Sequence, residues 1–159
     1  MSTKIDLANA LSRYAHKDQL YGEYDYFEEH ILSVVKLVIE NTKDLDDDEF
    51  IEDCIIVAYL HDVAEDTPIS INTIEDLFGA KIADSVWAIS KSVMVADLFG
   101  NTYRTTPAKY EEYIKRVKQD DITLLVKICD THANLNASLC NDDHKRIAKY
   151  TKQLELLEG

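Results

Sequence analysis

Apolar side chains recur along this chain at helical spacing, and no run alternates with the period of two that marks strands. Residues 28–41 set Ile31, Val34, Val35 and Val38 on one face, the i, i+3, i+4, i+7 stripe of an amphipathic helix. Residues 49–64 repeat it with Ile51, Cys54, Ile55 and Ala58. Beyond Pro68, Asn72 followed by Glu75 reads as a capping box, with Gly79 just past the end of a short helix. Another helix is expected over 80–92, around Ile82, Val86, Trp87 and Ile89. Residues 93–105 have weak periodicity and read as a loop. Thr106-Pro107 reads as N-cap and first position of a helix reaching Gln119. Asp120 and Asp121 then favour the start of a helix carrying Ile122, Leu125, Val126 and Cys129. A last helix, 142–158, aligns Ile147, Tyr150, Leu154 and Leu157. The expectation is one all-α domain over residues 1–159, with about seven helices.

Composition narrows the function classes. With 30 acidic against 17 basic residues the net charge is −13, which repels phosphate backbones and argues against a nucleic-acid partner. A small anionic substrate stays open, because a divalent cation and a few local lysines or arginines reverse the sign inside a pocket. No apolar stretch is long enough for a bilayer, and "MSTKIDLANALSRYAHK" lacks the pattern of a signal peptide, so a soluble cytoplasmic protein with no membrane partner is expected. Cys54, Cys129 and Cys140 lack zinc-type spacing; Cys54 and Cys129 sit in apolar runs as buried thiols. The acidic run "DLDDDEF" (44–50) lacks the glycine and spacing of a calcium loop and reads as a helix cap.

One stripe turns ionisable where it should stay apolar. The face of Ile51, Cys54, Ile55 and Ala58 continues into His61 and Asp62, and Glu65 and Asp66 follow one turn later in "AYLHDVAEDTPIS". Neighbours in a helix point about 100° apart, yet both can touch an ion lying between those directions. Imidazole plus carboxylate suits Mn²⁺, Fe²⁺ or Zn²⁺, and two ligands are too few, so others must come from elsewhere. His30 borders its own apolar stripe. Asp130 interrupts the apolar run in "LLVKICDTHANL" and needs a metal, hydrogen bonds or a counter-charge to sit there. Lys127, Asp130 and Asn134 share one face, so an ion pair with Lys127 is the rival or the companion of a ligand role.

The ordered set His30, His61-Asp62 and Asp130 resembles the H…HD…D signature of HD-domain metal-dependent phosphohydrolases. "AHKDQ" (15–19), "YFEEH" (26–30), "AYLHDVAEDTPISINTIEDLFG" (58–79) and "LVKICDTHANL" (125–135) look more narrowly like the hydrolase domain of RelA/SpoT-type enzymes and the small alarmone hydrolases. The resemblance implies an HD-domain helical bundle and an enzyme removing the 3′-diphosphate of (p)ppGpp to give GDP or GTP and pyrophosphate. It implies His30, His61, Asp62 and Asp130 as ligands of one Mn²⁺, with Glu65 and Asp66 as the catalytic pair that deprotonates water and manages the leaving group's proton. Asn134 matches a nucleotide-contacting asparagine, Arg104 and Lys91 match phosphate-side cations, and Lys17 stands in for basic residues that the family keeps nearby. Where that family is rich in Arg and Lys, this chain reads "LYGEYDY", with Glu23 and Asp25. That departure keeps alternatives in view: another nucleotide phosphatase (a nucleotidase or NADPH 2′-phosphatase), or a non-catalytic nucleotide-binding regulator. His16 reads as a structural hydrogen-bonder, and Tyr21, Tyr24 and Tyr26 either stack a base or pack the entrance. Oligomeric state has no signature in the sequence.

Overall fold

The computed structural model describes residues 2–159. Its helices are α1 (Thr3–Ala15), α2 (Leu32–Thr42), α3 (Asp48–Leu60), the single turn α4 (Val63–Asp66), α5 (Ile71–Phe78), α6 (Ala80–Ile89), α7 (Tyr110–Val117), α8 (Asp121–Cys140) and α9 (His144–Glu158). Two short antiparallel pairs interrupt them, β1 (Leu20–Tyr21) with β2 (Tyr24–Asp25), and β3 (Met94–Ala96) with β4 (Thr102–Arg104). Among the described residues no helix is long and apolar enough to cross a membrane.

The predicted stripe of α2 faces the core, whereas Trp87, read with Ile82, Val86 and Ile89 in the apolar set of α6, is exposed and lies under the Arg116 guanidinium. Ile31, Val34, Val35 and Val38 are buried against Cys54, Ile56, Val57 and Leu60 of α3 and Ile122, Val126 and Cys129 of α8. Each such aliphatic side chain removed from water contributes about 1.5–3 kcal/mol. α1 packs on α3, and α9 packs back along α8 after a tight turn in which Asp142 takes φ 54°, a left-handed conformation that aspartate tolerates better than most residues. The thiols of Cys54 and Cys129 are buried, and burial pushes them up to about 12 and about 11.

Several local expectations are corrected. Residues 93–105 are a hairpin. Gly100, at φ 80°, turns the chain, and the Asp97 carboxylate accepts from the backbone N–H groups of Phe99 and Asn101. Three-residue strands are too short for an alternating pattern to register. Ser70, rather than Asn72, caps α5 by accepting from the Thr73 N–H, while Asn72 Oδ1 accepts from Ala96 N and ties the hairpin to α5. The helix expected from Pro107 starts only at Tyr110, because the Ala108 N–H is drawn to the Lys91 carbonyl. The helix expected over 49–64 breaks at His61-Asp62, and the one expected from 28 begins as a π-helical turn, Phe27–Ile31.

Asp120 shows how α8 is started. Its side chain caps α8 by accepting from the Thr123 N–H, and it also accepts from the Ser85 and Thr123 hydroxyls. Burial alone would raise this carboxyl; the hydrogen bonds from Thr123 and Ser85 outweigh it and hold it below its usual value. A depressed folded-state pKa gives stability that is present above the unfolded value and lost as pH falls through the folded one. Asp120→Ala is therefore expected to destabilise the protein by about 0.5–2 kcal/mol at neutral pH. Thermal melts across pH check this: the gap to wild type should close on acidification.

Candidate active site

Four side chains from three elements meet at one point. α3 is buried almost all round at its C-terminal end, so His61, the next residue, stays inside the core at 1% exposure. Asp62 takes φ −106°, ψ −1° and ends the helix, which turns its carboxylate back beside the imidazole. His30 is delivered by the π-helical turn, a device concentrated at functional positions. Asp130 comes from the middle of α8. One candidate ligand atom from each of His30, His61, Asp62 and Asp130 lies within 4.8 Å of the others.

These residues fit a divalent cation. His61 Nδ1 is 2.7 Å from the Ala58 carbonyl and donates to it, which leaves Nε2 as the nitrogen turned to the cluster, able to ligate a cation once it gives up its proton. That Nε2 is buried and has no hydrogen-bond partner. It stands 3.1 Å from Asp62 Oδ2 and 3.5 Å from Asp130 Oδ1, while His30 Nε2 is 2.9 Å from Asp130 Oδ1 and 3.6 Å from Asp62 Oδ2. Two imidazoles and two carboxylates converging in this way form a nitrogen–oxygen donor set suited to a first-row divalent ion. Burial alone would push His61 down; Asp62 and Asp130 override it and hold the imidazole well above its ordinary value. Burial would also raise both acids, but His61 holds Asp62, and Lys127 with the histidines holds Asp130, well below the carboxylate range. A cation would take over that compensation, releasing protons as it binds.

The second carboxylate oxygen of Asp130 accepts from Lys127 Nζ at 2.8 Å, so the ion pair and the ligand geometry coexist on one side chain. Asn134 Nδ2 donates to Asp130 Oδ1 at 3.1 Å, and its own Oδ1 accepts from the Tyr21 hydroxyl at 2.9 Å. Tyr21 lies almost parallel to the His30 ring, 5.3 Å away, and its oxygen accepts from Arg146 at 2.8 Å.

Glu65 and Asp66 sit on α4 beside this cluster. Pro68 disfavours a helical conformation at Thr67, which is extended, so α4 is held to one turn. Glu65 Oε1 accepts from the Lys91 N–H at 2.8 Å, and Asp66 Oδ2 accepts from Gln19 Nε2 at 3.0 Å. Gln19 is in turn held by His16, whose Nδ1 lies 2.7 Å from its Oε1, so His16 is the hydrogen-bonder that its position suggests. Burial, then Asp62, raises both acids above their usual values.

A polar cavity of about 250 Å³ opens over the cluster, lined by His30, Asp62, Glu65, Asp66, Lys91, Lys127, Asp130 and Asn134. Arg146, Lys149, Tyr150 and Gln153 of α9 complete it, together with Tyr21 and Tyr26. Two expected cations lie elsewhere. Arg104 donates to the carbonyls of Ala64 and Thr67, closing the end of α4, and Lys17 lies over the Tyr14 ring. Sequence reading missed Arg146 and Lys149, since nothing in their spacing ties the last helix to residues 30–62. A wider groove of about 1150 Å³ adjoins the cavity, sharing Tyr21 and Arg146, and runs between α2 and α8 past Glu23, Glu29, Asn136 and Asn141.

No protein-family model matches the chain. Individual proteins do. It is 28% identical over 153 residues to the bifunctional (p)ppGpp synthase/hydrolase SpoT of Escherichia coli, covering 95% of this chain and 20% of that protein. A guanosine-3′,5′-bis(diphosphate) 3′-pyrophosphohydrolase of Haemophilus influenzae is 26% identical over 146 residues, covering 91% and 20%. The chain thus spans about a fifth of the length of these curated relatives. Among solved structures, a metazoan ortholog of SpoT that hydrolyses ppGpp superposes with a TM-score of 0.70 at 20% identity, over all of this chain and 88% of that one. The resemblance to RelA/SpoT-type hydrolases therefore extends along nearly the whole chain, and the fold is the HD-domain helical bundle.

Proposed function

We propose that this protein is a metal-dependent nucleotide pyrophosphohydrolase that removes the 3′-diphosphate of (p)ppGpp, yielding GDP or GTP and pyrophosphate. The observation that carries the reading is the convergence of His30, His61, Asp62 and Asp130 within 4.8 Å, with His30, Asp62 and Asp130 lining a cavity edged by Glu65 and Asp66. Those four residues would hold one divalent cation, with Mn²⁺ as the reading and Fe²⁺ or Zn²⁺ as alternatives. Such an ion supplies a more acidic bound water and charge to offset phosphoryl oxygens.

The remaining roles fall to the chain itself. Glu65, fixed by the Lys91 N–H, and Asp66, fixed by Gln19, are the paired acids for moving the water's proton and the leaving group's proton. Lys91, Lys127, Arg146 and Lys149 offset the four carboxylates that line the cavity, and a divalent cation would tip the balance positive where a diphosphate would lie. Arg146 and Lys149 thereby answer the acids at Glu23 and Asp25: the positive charge comes from α9 instead of the β1–β2 segment. Asn134 is the proposed nucleotide contact, while Arg104 supports the reading as an anchor for α4. The cavity falls below the ~300–1,000 Å³ common for small-molecule sites. It suits the diphosphate end, and the adjoining groove would take the nucleoside. The reading carries a cytoplasmic setting with it.

The test is a pyrophosphate-release assay on ppGpp with Mn²⁺, run beside NADPH and nucleoside monophosphates. Activity on ppGpp that disappears with EDTA and returns with Mn²⁺ is expected. Release of orthophosphate from the other substrates alone would overturn the substrate, and a wild type that binds no divalent cation would overturn the site.

A further inference from the structure

The two acids of the four-residue cluster are held very differently. Asp130 is gripped on both oxygens, by Lys127 on one and Asn134 on the other. Asp62 receives no hydrogen bond from the N–H groups of the helix it precedes. Apart from the two imidazoles, the recorded polar partner of its carboxylate among the described residues is the Tyr26 hydroxyl, which donates to Oδ2 at 2.5 Å. That oxygen is the one facing His61 and His30.

Tyr26 is built to point there. Its backbone N–H donates to the Gln19 carbonyl, and it precedes the π-helical turn that carries His30 four residues later. Its ring is walled in by His16 and His30, each 5.1 Å away, and by Tyr21 at 6.0 Å. The Asp62 carboxylate can only accept, so the phenol is the donor in this contact. A carboxylate oxygen has two lone pairs, and with one taken by the phenol the other is turned toward the imidazoles.

We propose that Tyr26 is a positioning residue for the cation site, its hydroxyl fixing the ligand oxygen of Asp62 from behind. The inference rests on the metal reading above and adds to it a residue from outside the His-Asp cluster. One segment then sets two ligands together, His30 by covalent connection and Asp62 through the phenol. Hydrogen-bond partners behind metal ligands commonly govern affinity by about 10–100-fold.

Direct calorimetric titration of the apoprotein with Mn²⁺ tests this, alongside the electron paramagnetic resonance line shape of the bound ion. Tyr26→Phe keeps the ring and its packing and removes only the donor, so about 10–100-fold weaker Mn²⁺ binding and a broadened signal are expected. Tyr14→Phe, which removes an exposed hydroxyl outside the cavity and away from the four-residue cluster, should bind Mn²⁺ like wild type. Wild-type affinity in Tyr26→Phe would overturn the proposal and leave the cation site standing. Equal weakening in both variants would assign the effect to a general loss of structure and also overturn it. A wild type that fails to bind Mn²⁺ would remove the cation site itself, and the proposal with it.

Discussion

Asp130→Ala is expected to abolish divalent-cation binding and, with no metal present, to destabilise the protein by about 3–5 kcal/mol. The reason lies behind the ligand. Asp130 Oδ1 faces the imidazoles, but Oδ2 accepts from Lys127 at 2.8 Å, and the lysine side chain is only 13% exposed. Burial alone would push Lys127 down, and Asp130 overrides it, keeping the ammonium charged. Without the acid, that charge sits in the core unpaired. A loss of this size is a large share of the roughly 5–15 kcal/mol that holds a domain together. The double variant Asp130→Ala/Lys127→Met should recover most of the stability and none of the metal binding. Urea denaturation and metal titration of the two variants separate the roles. Wild-type stability in the single variant would show that the pair carries no buried charge.

How far the site was legible depended on whether its residues signalled within their own helices. Ile31, Val34, Val35 and Val38 form a periodic stripe, so α2 and its buried face could be read directly. His61, Asp62 and Asp130 stood out because each put a polar group where the pattern demanded an apolar one. Lys127 and Asp130 are three residues apart on one helix, a local relation that spacing reveals. The break at Asp62 was not legible, since a helix and a helix ending in a tight turn share the same apolar pattern up to that point. Arg146 and Lys149 look like ordinary solvated positions beside the stripe of α9; only the packing of α9 on α8 brings them to the cavity. Arg104 shows the opposite case. A cation in a loop reads as available, whereas its guanidinium satisfies the carbonyls that the one-turn helix leaves open.

Glu65→Gln should lower kcat by about 10²–10⁴-fold while leaving cation affinity unchanged, the range expected for removing a general acid–base group. The substitution is nearly isosteric, and a glutamine Oε1 can still accept from the Lys91 N–H, so α4 keeps its geometry. What disappears is the ability to take a proton. Burial first, then the neighbouring Asp62 and Asp66, raises the Glu65 pKa above the ordinary glutamate value. The ascending limb of the wild-type rate profile should accordingly lie above the range of a free carboxylate, and it should vanish in the variant. The same shift carries a stability consequence of opposite sign to that of Asp120. A carboxylate with a raised folded-state pKa binds its proton more tightly folded than unfolded, so its contribution is present below the unfolded pKa and lost as pH rises through the folded one. At neutral pH the wild type bears that penalty and Glu65→Gln does not, so the variant should melt higher while turning over more slowly. Such a gain in stability with loss of rate is the mark of an acid strained for chemistry. A variant that kept full kcat would transfer the proton-handling role to Asp66 alone, and one that melted lower would show Glu65 to be a structural anchor for Lys91.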